Sequence, residues 1–208
     1  GTIVEDACVF VDILNVLLKK NNLPDITLDF YQKNFCFPIV AFYKKLGLYK
    51  NSVFFSNINK EFVDLYNKRK YSPKLKKKII DLINYLNTLN VDQFVVSAQN
   101  NNTLQHLLTF YSLEKKFISA VGVDNEMAVG KKRLASRLKK NLCSKSSVVV
   151  IGDTLLDFEV ARFIRARCIL VDWGHYGLVR LSNCGVPVVS SVIELKRVIL
   201  DELELATL

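Results

Sequence analysis

The chain has 208 residues, half of them hydrophobic, which suffices for one sizeable core, or a core plus one small inserted domain, and argues against disorder. Its 29 basic and 20 acidic residues give a formal charge of +9 and a pI near 9.3, a balance that favours anionic ligands or nucleic acid and says nothing about fold. No apolar run approaches the roughly 18 residues needed to span a bilayer, so no membrane partner is expected.

In chain order, the apolar run Cys8 to Val11 reads as a first strand that ends at Asp12. Residues 18–90 lack a strong strand pattern, and helical spacing dominates there: Phe30, Tyr31 and Phe35 before Pro38, then Phe42, Tyr43 and Leu46. A helical insertion is expected. Gly47 ends one of its helices, Ser72-Pro73 opens another, and Ile79, Leu82, Ile83 and Leu86 mark that helix's buried stripe. Further strands are expected at Phe94 to Val96, Ile118 to Val121, Val148 to Ile151 and Cys168 to Val171. Each run is nearly continuous in apolar residues, as in parallel strands covered by helices on both faces. The expected class is α/β, a doubly wound parallel sheet with a small inserted helical unit.

Five cysteines (Cys8, Cys36, Cys143, Cys168, Cys184) stand without CxxC or His spacing, mostly among apolar neighbours. Buried free thiols are expected, and with them a reducing, intracellular and by default cytoplasmic compartment. Residue 1 is Gly rather than Met, as expected of a trimmed terminus, so a targeting signal would lie outside the sequence.

In open parallel sheets ligands bind beyond the carboxyl ends of the strands. The candidates there are Asp12, Ser97 in "FVVSAQNNN", Lys131 after "GVDNEMAVG", and Asp153 with Asp157 in "VVVIGDTLLDFEVA". A carboxylate nucleophile, a hydroxyl, a lysine and an acidic pair form a set suited to Mg²⁺-dependent phosphoryl transfer through an aspartyl-phosphate.

These segments resemble the haloacid dehalogenase (HAD) superfamily, more narrowly its phosphoglycolate-phosphatase-like branch. "VVVIGDTLLDFEVA" is similar to the fourth motif G-D-T-x-x-D-x-x-x-A, with "RCILVDWGHYG" following as the next strand and Gly-His turn. "GVDNEMAVGK" looks like the segment leading to the third-motif lysine, and "FVVSAQNNNTLQHLLTFYSLEKKF" like the second-motif strand and helix. "DFYQKNFCFPIVAFYKKLGL" is similar to the helix pair of small helical caps. The resemblance implies a HAD-like Rossmannoid core over residues 1–17 and 91–208 with a helical cap over 18–90. It implies Mg²⁺ as cofactor and a small phosphorylated metabolite as substrate. Asp12 would be the nucleophile and touch the metal. Ser97 and Lys131 would hold phosphoryl oxygens, Asp153 would bind Mg²⁺, and Asp157 would orient the metal shell or the lysine.

The family's first motif usually reads D-x-D-G-T, where Asp12-Ile13-Leu14-Asn15-Val16 stands here. Leu14 replaces the general acid/base, whose help is typically worth ~10²–10⁴-fold, while its backbone carbonyl still offers a metal ligand. Mg²⁺ and phosphate binding with impaired turnover is therefore expected. A catalytically inactive pseudophosphatase, serving as a binding or structural module, is the alternative. The basic surface also leaves a protein or nucleic-acid partner open, including a nucleic-acid end phosphatase.

Taken singly, each residue has a plainer reading. Asp12 and Ser97 would be cap or turn residues, and Lys131, beside Lys132 and Arg133, a solvated helix start. Lys74 to Lys78 would be a solvated face, "FYQKNFCF" helical core, His175 a turn residue near the site entrance, and Trp173 a local packing residue.

Overall fold

The computed structural model describes residues 1–124, 131–140 and 147–203. The chain opens with α1 (Ala7–Lys20), α2 (Leu28–Asn34), α3 (Ile39–Lys45), α4 (Ser52–Arg69) and α5 (Ile79–Thr88). An alternating part follows: β1 (Phe94–Asn100), α6 (Asn101–Phe110), β2 (Ser119–Val123), α7 (Lys131–Lys140), β3 (Val149–Gly152), α8 (Leu155–Phe163), β4 (Arg167–Val171), α9 (Leu178–Leu181), β5 (Val188–Val189) and α10 (Val192–Glu202). All strand pairs are parallel. The α/β class is as expected, and four of the expected strands fall on β1 to β4.

The expected first strand is a helix. Cys8, Asp12 and Val16 are exposed while Val9, Val11, Ile13, Leu14, Leu17 and Leu18 are buried. That four-residue spacing of exposed positions is helical, and it outweighs the β-branched composition. Helix α1 packs on α4 and α2. Its buried side share one apolar cluster with Tyr31, Phe35, Phe42, Tyr43, Phe55 and Leu170. The helical spacing expected before β1 corresponds to α2 to α5, though no described strand precedes them to make them an insertion, and the buried side of α5 is Ile79, Leu82, Ile83 and Leu86. Gly47 follows α3 at φ +76°, a left-handed conformation in which glycine is unstrained. Tyr31 and Phe35 lie in the core, so the aromatic stretch is packing rather than a base-stacking surface.

The sheet is in two pieces. Strand β1 pairs with β2, and separately β3 pairs with β4 and β4 with β5. A cavity of about 740 Å³ lies between the pieces, lined on one side by Phe94 to Ser97 and on the other by Val148 to Ile151. Helix α7 packs on β1, β2 and α8 and so spans both pieces.

Candidate active site

The polar residues gather where β3 ends. Gly152 closes the strand with its Cα against Asp157: a Cβ there would lie 2.2 Å from the Asp157 Cβ, so only glycine lets the α8 N-terminus fold back this closely. Thr154 caps α8, and Asp157 at the third helical position completes a capping box. The Asp157 Oδ2 accepts hydrogen bonds from the Asp153 N–H (3.1 Å), the Thr154 N–H (3.0 Å) and the Thr154 hydroxyl (2.8 Å). Its Oδ1 accepts from Lys131 Nζ at 2.5 Å. The two side chains are 15% and 4% exposed, so this is a buried ion pair whose members depend on each other. Lys132 adds a second, exposed tie from α7 to Glu159 of α8 at 2.7 Å.

Asp153 is 6% exposed. Its Oδ1 accepts from the Thr2 hydroxyl at 2.7 Å and its Oδ2 from the His175 N–H at 2.8 Å. A Cβ on Gly174 would lie 2.3 Å from that Oδ2, so the turn after β4 meets the carboxylate backbone-first. Burial pushes the Asp153 carboxyl up, but the Gly1 amino group, His175 and the hydrogen bonds hold it below its ordinary value. Asp6 is likewise held low despite burial, by the Gly1 amino group and by His175, whose Nε2 is 3.3 Å from the Asp6 Oδ1. His175 Nδ1 meets the Tyr31 hydroxyl at 2.8 Å, and the hydroxyl's own ionisation is pushed well up by burial. The turn His175 thus joins the acidic site to α2. Trp173 is less local than expected, because its Nε1 donates to the Thr2 carbonyl at 3.2 Å.

Ser97 follows the last regular pair of the β1–β2 ladder, Val96 with Val121. Its hydroxyl accepts from the Gln99 N–H at 3.0 Å, while Asn100 caps α6. Ser97, Lys131, Asp153 and Asp157 all line the one cavity. The structure brings these four expected residues together.

Asp12 and Leu14 are not among them. Asp12 sits on the exposed side of α1, 56% exposed, and pairs with Arg69 of α4 at 2.8 Å. Leu14 is 2% exposed inside the apolar cluster, and as a mid-helix residue it does not turn its carbonyl to the site. Neither the nucleophile nor the metal contacts assigned to this stretch hold, because a helix replaces the strand that was to deliver them. Leu14 therefore says nothing about turnover. The residue missed is Thr2, together with Gly1, Asp6 and Gly174 around it. Its signal was the dipeptide Gly1-Thr2, which matches the G-T of the D-x-D-G-T pattern better than Asn15-Val16 does.

The chain matches the haloacid dehalogenase-like hydrolase family over residues 1–171. It belongs to that family. Among solved structures it is similar to a predicted phosphatase from Clostridium acetobutylicum, at 21% identity and TM-score 0.81 over 97% of this chain and 94% of that one. It is also similar to Mycobacterium tuberculosis Protein Tyrosine Kinase A, at 20% identity and TM-score 0.78 over 95% and 93% of the two chains. A haloacid dehalogenase-like hydrolase from Streptococcus pneumoniae matches at 16% identity and TM-score 0.78, over 96% and 94%. At these identities the likeness is one of fold, and one of these relatives carries the name of a kinase. No curated protein matches the chain.

The family implies Mg²⁺, and the donor set can be tested against it. Among the described residues no three His, Cys, Asp or Glu side chains are grouped as metal ligands. Mg²⁺ needs only one or two carboxylates, completed by water and phosphate oxygens. Asp153 fits, being a buried carboxylate approached by glycine on two sides, Gly1 and Gly174, with a single hydrogen bond on each oxygen that leaves a lone pair of each for a metal. Asp157 does not fit as a direct ligand, since four hydrogen bonds engage its oxygens. Its place is behind Lys131. Among the described residues no helix is long and apolar enough to cross a membrane.

Proposed function

We propose that this chain carries the phosphate- and metal-holding part of a phosphomonoesterase, acting on a small phosphorylated metabolite with Mg²⁺ at Asp153 and the helical part serving as its cap. The observation that carries the reading is the Lys131–Asp157 ion pair beside Asp153, in a cavity shared with Ser97. Asp157 holds the ammonium in place, so that its remaining protons face the cavity without a rotamer search. Ser97 and Lys131 then take two phosphoryl oxygens, and Asp153 carries the metal. When bound, Mg²⁺ withdraws charge from the phosphoryl oxygens as a Lewis acid. Ammonium and metal together offset the repulsion between a phosphate dianion and the acidic groups of the site.

One observation favours a second reading, in which the chain binds phosphate groups without turning them over: the Asp6 and Asp153 carboxylates are both engaged, and Asp12 lies elsewhere. Both readings are tested together. Phosphate release from a panel of phosphomonoesters is measured with Mg²⁺ and with EDTA, alongside calorimetric titration with inorganic phosphate. Release that needs Mg²⁺ and falls at least ~100-fold in Lys131→Met and Asp153→Asn supports the enzyme. Phosphate binding lost in the same variants, with no release, supports the binding module. Neither binding nor release sinks both.

A further inference from the structure

Residues 67–78, "NKRKYSPKLKKK", hold seven lysines and arginines and no acidic residue. Two of the seven are neutralised, Arg69 by Asp12 and Lys76 by Glu5. Lys68, Lys74, Lys77 and Lys78 are exposed, and among the described residues none of these four has an ion-pair partner. A run of like charge repels itself and is commonly disordered. This one is held in a fixed conformation instead. The Glu5 N–H donates to the Lys74 carbonyl at 2.8 Å and the Lys76 N–H to the Ile3 carbonyl at 2.9 Å, around a bridge between Val4 and Leu75. Leu75 packs on the apolar clusters around Leu82 and Leu108, so Lys74 turns the other way, to solvent. The Tyr111 hydroxyl donates to the Pro73 carbonyl at 2.7 Å, and the Ser72 hydroxyl to the Arg69 carbonyl at 2.8 Å.

Two features of this segment run against stability. Lys77 and Lys78 stand at the N-terminus of α5, whose partial positive charge disfavours them. Lys78 occupies the cap position without a side-chain capping bond, at φ +64°, where a residue other than glycine is strained. A bound phosphate would offset the charge. In the middle of the run Tyr71 packs against Phe110 of α6, with ring centroids 4.6 Å apart at 36°, and Lys70 Nζ lies 5.2 Å from the Tyr71 centroid. The two residues are 43% and 52% exposed. Residues 101–113, which supply Phe110, contain no acidic residue either.

We propose that this surface binds single-stranded nucleic acid, with bases stacking on the exposed Tyr71 and Phe110 rings and phosphates meeting Lys68, Lys74, Lys77 and Lys78. Rings and lysines are used together only by such a ligand. An acidic peptide or an inorganic polyanion would take the lysines and leave the rings in water, and a duplex keeps its bases stacked on one another. Every base has a π-face, so the surface reads no sequence. It is independent of the phosphomonoesterase reading, because none of these six side chains lines the cavity of Lys131 and Asp153.

The test reads fluorescence anisotropy of a labelled oligothymidylate of twelve nucleotides. It has hydroxyl ends and is kept in EDTA, so that neither a terminal phosphate nor a metal brings in Asp153. The single strand is expected to bind with a log–log salt slope of about −2 to −3, as for three or four phosphates at ~0.7 each. Lys74→Ala with Lys77→Ala should reduce the size of that slope by ~1.4. Tyr71→Leu and Phe110→Leu, which keep an apolar side chain and remove the π-face, should each weaken binding at least ~5-fold with the slope unchanged. Tyr71→Trp, with a larger π-face, should bind at least as tightly as the parent. Circular dichroism of each variant confirms the fold. No binding of the single strand at low salt would overturn the proposal, as would equal binding of a mixed-sequence duplex of the same length. Inorganic polyphosphate or phosphatidylserine vesicles that displace the strand as well as unlabelled oligothymidylate does, at equal phosphate, would overturn it too. If Tyr71→Trp binds as weakly as Tyr71→Leu, the ring only packs and the stacking site falls.

Discussion

Lys131 and Asp157 illustrate how a single pair can serve both fold and site. Removing the ammonium leaves a carboxylate that is 4% exposed without its counter-charge, and breaking such a pair from one side costs about 3–5 kcal/mol. Lys131→Met should therefore lower urea-unfolding stability by about that much, and Lys131→Met with Asp157→Asn should recover most of it, since the second change removes the stranded charge. Phosphate binding should not recover in the double variant. That difference separates the structural part of the pair from its proposed work. Asp12→Ala offers the opposite case: its bond to Arg69 is between side chains 41% and 56% exposed, so the loss should stay within about 1 kcal/mol and leave phosphate binding unchanged. The thiols follow burial in the same way. Burial, then the neighbouring Asp157 and Cys184, push the Cys168 thiol up to about 12, whereas Cys8 is exposed on α1. Native protein treated with iodoacetamide at pH 8 should be alkylated at Cys8 and spared at Cys168, with Cys168 reacting only after denaturation; mass spectrometry of the peptides decides it.

At the level of elements, α1 shows what composition conceals. Val9, Val11, Ile13 and Val16 favour a strand one at a time, and "ACVFVD" taken alone matches a buried strand ending on a carboxylate. What decides it is exposure in the structure, at Cys8, Asp12 and Val16, four apart where a strand would alternate by two, and the apolar Cys8 and Val16 do not show it in the sequence. The strands β1 to β4, the α5 stripe and the pair Asp153 and Asp157 were legible because each rests on a local pattern, namely a continuous apolar run, a 3.6-residue period, or a carboxylate pair at helical spacing after a Gly, while Ser97 and Lys131 joined them through the family resemblance. Thr2 and Gly174 were not, since their role depends on two chain segments meeting at Asp153, which no local pattern records. β5, with only Val188 and Val189, is too short for any periodicity to show. The correction changes what a variant should do. Leu14→Asp places a charge inside the α1 cluster and should unfold the chain rather than raise turnover, while Leu14→Ala should cost about 2–5 kcal/mol as a cavity. Asn15 holds the following loop: its side chain donates to the Ile26 carbonyl at 3.0 Å and accepts from the Ile26 N–H at 2.8 Å.

For the molecule as a whole, the question is what ties the helical part to the turn beside Asp153. The turn 172–177 does much of it. Gln32 Nε2 donates to the Gly174 carbonyl at 2.8 Å, the Tyr31 hydroxyl meets His175 Nδ1, and Arg180 reaches back to the carbonyls of Gln32 and Phe35 while stacking over the Tyr176 ring at 3.7 Å. All of these attach α2 to the turn whose His175 N–H donates to Asp153, so the helix and the site share that turn. Arg180 is the member whose loss removes the most contacts without opening a core cavity. Arg180→Met should leave β4, with its buried Cys168 to Val171, at native protection from hydrogen exchange, while amides of Leu28–Asn34 exchange about tenfold faster for each 1.4 kcal/mol of local stability lost. If α2 exchanged at the native rate in this variant, the stacked and edge-on contacts of Tyr31 with Phe35 and Phe42 would be sufficient by themselves. The hydrogen bonds to the turn would then orient α2 rather than hold it in place.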